Sequence, residues 1–138
     1  MTSWLRSLKL SKKDQTGIKA IVLTPPPFKN WWACFEATSK VIIGGAITED
    51  NTEAKTILKG YSPIVIALAL CLIITHEIGH SIYGDSESLA DVYMCHKAEQ
   101  ILKVNLSNGL TMGRISMTNI LDRLSLRNWG DLCTQRNS

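Results

Sequence analysis

A chain of 138 residues is long enough to bury one core without disulfide or metal staples. Its apolar fraction of 45% and charged fraction of 20% are those of an ordinary globular protein, and a net charge of +3 argues for no nucleic-acid partner. Cys34, Cys71, Cys95 and Cys133 form neither a CxxC nor a regular framework, so the expectation is one soluble domain, residues 1–138, in a reducing cytoplasmic setting.

The opening MTSWLRSLKLSKK is basic and free of acids, but it lacks the continuous apolar core and small-residue cleavage site of a secretory signal. Residues 1–16 therefore read as a basic flexible or peripheral segment. GIKAIVLT (17–24) is short and rich in β-branched residues, and Pro25, Pro26 and Pro27 stop it. NWWACFEATSKVIIGGAIT predicts two further strands, 31–36 and 40–47, around an ATSK turn, with Gly44 and Gly45 at a bulge or a close backbone approach. The three make a small antiparallel sheet, with 40–47 available as an edge on which a peptide could pair. Trp31 and Trp32, adjacent in a strand, must point to opposite faces.

From Asn51 the pattern turns helical. Asn51 can cap, Glu53 sits in the first turn, and Gly60 closes a short helix carrying Ile57 and Leu58. Ser62 and Pro63 then suit the N-cap and first position of a long helix running to about residue 82, with Gly84 as its stop. Its apolar run, 64–74, has eleven residues where a membrane span needs about eighteen to twenty, so no transmembrane segment is expected. The first three turns are apolar all round, as in a helix buried on every side. A second helix spans 86–104, a loop 105–109, and Ile115, Ile120, Leu121 and Leu124 mark a third helix. The fold class is α+β: a small sheet in the N-terminal half, then a buried helix and further packed helices.

His76, Glu77 and His80 form H-E-x-x-H. On a helix, residues four apart are about 40° apart around the axis, so both imidazoles can reach one ion, while Glu77 points to the side, where it can act on metal-bound water. Zinc needs a third protein ligand and leaves a fourth position for water at a catalytic site. Downstream candidates are Asp85, Glu87, Asp91 and His96. Glu87 stands just past the Gly84-Asp85 turn, with enough chain to return a carboxylate to the ion. Asp91, one turn further on, suits the orienting of a ligating histidine or serves as the alternative ligand. His96 lies about 180° round that helix from Glu87 and faces away. The competing reading is that the histidines cap the helix and bond nearby carboxylates.

These residues resemble a family. His76-Glu77-Ile78-Gly79-His80 followed by Glu87-Ser88-Leu89-Ala90-Asp91 is similar to the HExxH…ExxA(D/N) signature of gluzincin metallopeptidases, in particular the ImmA/IrrE-like and minigluzincin groups. The resemblance implies a zincin-like fold, Zn2+ as cofactor, His76, His80 and Glu87 as ligands, Glu77 as general base, and a protein or peptide as substrate. The alternatives are a non-catalytic zinc-binding module and a metal-free interaction or structural protein.

Overall fold

The computed structural model describes residues 17–24, 32–45, 52–106 and 117–127. Three strands, β1 (Ala20–Thr24), β2 (Ala33–Glu36) and β3 (Val41–Gly45), are followed by four helices, α1 (Thr52–Leu58), α2 (Pro63–Tyr83), α3 (Glu87–Leu102) and α4 (Met117–Ser125). This is the α+β order expected, a small N-terminal sheet leading into helices. Trp4, Trp31, Trp129, Asn51, Ile115 and Cys133 lie outside the described residues.

The sheet departs from the antiparallel expectation. Its order is β1-β3-β2, with β3 parallel to β1 and antiparallel to β2. After β1 the chain does not lay the next strand beside it: β2 forms at the far edge, and the hairpin folds β3 back into the gap. The segment expected as an edge is thus the centre of the sheet, and β1 and β2 are the edges. The β2–β3 turn is closed by Lys40 at φ 59 and by the Glu36 carboxylate, which accepts from Thr38 N at 3.2 Å, Ser39 N at 2.6 Å and Ser39 Oγ at 2.6 Å. Gly44 is a close approach rather than a bulge, since a Cβ there would lie 2.4 Å from Ala33 Cα in an unbroken register.

Helix α2 is the spine. Ser62 caps it, its side chain accepting from Val65 N at 3.4 Å, and Pro63 begins it, as expected. Val65, Leu68, Ala69 and Leu72 recur at one-face spacing and are buried. Ala67 remains exposed, so the all-round burial expected of the first turns is instead found over 71–75. There the sheet adds its cover: a Cβ on Gly45 would sit 3.3 Å from Ile74 Cδ1. By length and composition α2 could cross a membrane, although the apolar run inside it is shorter, and 61% of its most apolar window is buried within the fold. From α4, Ile120, Leu121 and Leu124 are fully buried in the same core.

Candidate metal centre

Two capped helices and a three-residue turn build the site. Gly84, at φ 74, ends α2 and returns its N–H to His80 O at 2.9 Å. Ser86 starts α3, its side chain accepting from Leu89 N at 3.2 Å. The two helices make the most extensive contact between elements of the fold. They come close at Gly79, where a Cβ would lie 3.0 Å from Ala90 Cα and 3.2 Å from Ala90 O. This tight seam carries Glu87 and Asp91 back to the histidines.

His76 and His80 stack edge to face, ring centroids 4.7 Å apart at 85°. The Glu87 carboxylate bridges them: Oε2 lies 3.0 Å from His76 Nε2 and Oε1 lies 3.2 Å from His80 Nε2. Behind the rings, His76 Nδ1 meets Asp91 Oδ1 at 2.8 Å and His80 Nδ1 meets the Gly84 carbonyl at 2.7 Å. A carbonyl only accepts, so His80 Nδ1 carries the hydrogen, and Asp91 assigns the same tautomer to neutral His76. Both Nε2 lone pairs and the Glu87 oxygens then converge, acceptor facing acceptor. A cation reconciles that arrangement. Tetrahedral ligands at zinc distances stand about 3.3 Å apart, close to the two nitrogen–oxygen separations found, and one ligand atom from each of the three residues falls within 4.8 Å of the others. The residues therefore fit zinc. Glu87 is half-exposed, so the group opens to solvent on one side.

Glu77 lies at the same helix end, 8% exposed. Burial pushes its carboxyl above the usual range. The His76 and His80 rings draw it down, Glu87 drives it up, and a hydrogen bond from the Phe35 main-chain N–H favours the ionised form. For His76, burial opposes protonation, but the bond to Asp91 and the charges of Glu77, Asp91 and Glu87 prevail and raise its pKa. The Cys34 thiol on β2 is pushed up by burial and then by the charges of Glu77 and Glu36.

The structure thus brings together His76, His80 and Glu87, with Asp91 behind His76 and Glu77 beside them. Asp85 is exposed in the turn and outside the group, and His96 is exposed on α3, as its helical position predicts. Tyr83 is exposed with its ring edge-on to Tyr93 at 6.2 Å. Sequence reasoning missed four contributors. Gly79 was detectable, because a glycine inside a helix costs about 1 kcal/mol against alanine and asks for a packing reason. Its contact Ala90 is the small residue that the approach needs. The Gly84 carbonyl and Phe35 N–H are main-chain atoms, present in every residue. Compared with protein families, curated proteins and solved structures, the chain matches none.

Proposed function

We propose that this chain is a zinc-dependent metallopeptidase of the gluzincin type, with a zincin-like fold, that hydrolyses peptide bonds in a protein substrate. The observation that carries the reading is the convergence of His76 Nε2, His80 Nε2 and the Glu87 carboxylate, with both Nδ1 atoms already committed to Asp91 and Gly84. A histidine pair that merely capped a helix would not need its two back nitrogens fixed so that both front nitrogens meet one carboxylate.

Zinc held by His76, His80 and Glu87 would bring the pKa of bound water towards neutrality and polarise the scissile carbonyl. Glu77 takes the proton of the attacking water on its carboxylate and returns it to the leaving amine nitrogen. Asp91 and the Gly84 carbonyl hold the two imidazoles in the ligating tautomer. The peptide pairs with β2, the edge strand next to Glu77, since β3 lies at the centre of the sheet. Cys34, Cys71 and Cys95 form no disulfide among the described residues, which fits the reducing, cytoplasmic setting that belongs to this reading.

The test is zinc stoichiometry beside cleavage of a fluorescence-quenched peptide library. Glu77→Gln should keep its zinc and lose turnover by roughly 100- to 10,000-fold. Retained turnover would overturn the mechanism. Zinc binding by a wild-type protein that cuts nothing would leave a non-catalytic zinc module, and the lack of stoichiometric zinc a metal-free interaction protein.

A further inference from the structure

Helix α3 carries Glu87 at one end and, 16 residues or about 24 Å further along, hands the chain to a different part of the fold. It ends at Lys103, in the left-handed conformation at φ 55, and the residues that follow meet the last turn of α4. Between them lies a cavity of about 190 Å3, open to solvent on one side. Val104, Leu106, Leu124 and Leu126 give it apolar walls, and the side chains of Arg123 and Arg127 complete the lining. Arg127 N donates to Leu124 O at 3.1 Å, so the chain keeps turning past the end of α4 and sets Arg127 one turn beyond Arg123. Among the described residues no acidic side chain lines the cavity, and neither arginine has an ion pair. Asp122, the neighbour of Arg123, accepts from the Tyr61 hydroxyl instead.

Guanidinium groups hold oxyanions through paired N–H donors and keep their charge at any working pH. One arginine near a helix C-terminus is ordinary; two around a hollow with apolar walls form a binding arrangement. The charge of that arrangement can be counted. α3 ends at Leu102 and α4 at Ser125, so two helix C-termini border the cavity, each bearing about half a negative charge. Two arginines set against them leave about one positive charge for a ligand, which suits a carboxylate better than a doubly charged phosphate. The volume is about six times the roughly 30 Å3 that a water takes in the liquid, and below the roughly 300 Å3 at which pockets for drug-sized ligands begin. We propose that this cavity binds a small apolar carboxylate, its charged end on Arg123 and Arg127 and its hydrocarbon against Leu106 and Leu124. A free short-chain acid and the C-terminal residue of a peptide share that chemistry. The proposal stands apart from the metallopeptidase reading.

The test uses the full chain in metal-free buffer, where no carboxylate can be held by zinc, and follows the backbone amide resonances during titration with sodium hexanoate. Those of Leu106, Arg123 and Leu124 should move together and saturate in the millimolar range, while those of His76 and Glu87 stay in place. Hexanamide has the same size and no charge, and should bind at least about tenfold more weakly. Arg123→Gln and Arg127→Gln should each weaken hexanoate roughly tenfold, the worth of one charge-assisted hydrogen bond. Should Arg123→Gln fail to fold, Arg127→Gln decides alone, because that side chain is exposed beyond the end of α4. N-acetyl-leucine binding more tightly than hexanoate would assign the cavity to peptide C-termini, and binding more weakly would assign it to free acids. Resonances that do not move, shifts that hexanamide reproduces at equal concentration, or affinity that the arginine variants retain would overturn the proposal. Inorganic phosphate binding more tightly than hexanoate would overturn the assignment to a carboxylate.

Discussion

Gly79 and Ala90 meet across the α2–α3 seam with no room for a side chain between them: a Cβ on Gly79 would lie 3.0 Å from Ala90 Cα and 3.3 Å from Tyr93 Cβ. The contact is to main chain, which cannot swing aside. Gly79→Ala gains helix propensity but forces the helices apart, so a net loss of about 1 to 2 kcal/mol is expected. Because the same seam delivers Glu87, zinc affinity should fall roughly tenfold with it. Thermal melts with and without zinc, beside competitive zinc titration, check both effects.

Asp91, 3% exposed, is committed to His76 Nδ1 at 2.8 Å. Asp91→Ala should weaken zinc binding by roughly 10- to 100-fold without removing a ligand, whereas Glu87→Ala should abolish stoichiometric zinc. Metal analysis after equilibration against a zinc buffer separates the two. Unchanged zinc in the Glu87 variant would transfer the ligand role to another carboxylate.

The pKa of His76 is raised from 6.5, despite its burial, by Asp91 and the surrounding carboxylates. In the metal-free protein its proton therefore contributes stability that is present below pH 6.5 and is lost as pH rises through the raised value. Zinc takes the neutral ring, so binding near neutrality should expel a proton and weaken as pH falls. Calorimetry in buffers of different ionisation enthalpy measures the release. Asp91→Asn, lacking the charge that favours the imidazolium, should release less at the same pH.

The Glu36 carboxyl is held down to about 2 by the hydrogen bonds of Ser39 and Thr38. A depressed carboxyl stabilises above its ordinary value of 4.5, and that stability is lost as pH falls from there to about 2. The group is fully exposed, so the effect is confined to the β2–β3 turn. Acid titration followed by exchange at the Lys40 and Val41 amides should show earlier opening in Glu36→Gln than in wild type, with the difference fading as pH falls through about 2.

Much of the centre could be read from the chain because helices convert spacing into direction. The spacing of four from His76 to His80, and of four from Glu87 to Asp91, each fixes a face, and Ser62, Pro63, Gly84 and Ser86 mark where those faces begin and end. The sheet was less legible, since strand order depends on where the chain travels after Pro27, and no local pattern encodes that path. The choice of β3 as the edge failed for this reason. Burial of α2 was overstated at its start, because an apolar sequence tells how much cover a helix wants and not how much its neighbours provide. Phe35 and Gly84 contribute through atoms that no residue type distinguishes.

The three-residue turn between α2 and α3 has a kinetic consequence. All three candidate ligands, together with the acceptors behind both imidazoles, belong to one helical hairpin, and the largest separation among these groups is fifteen residues, from His76 to Asp91. Closing so short a loop costs little entropy, so the ion-gathering part of the chain can assemble before the sheet has docked. The packing of α2 against β2 and β3 spans a much longer stretch and forms only when sheet and helix meet. On the metallopeptidase reading, an early folding species would thus gather the three ligands before the sheet had closed over Glu77.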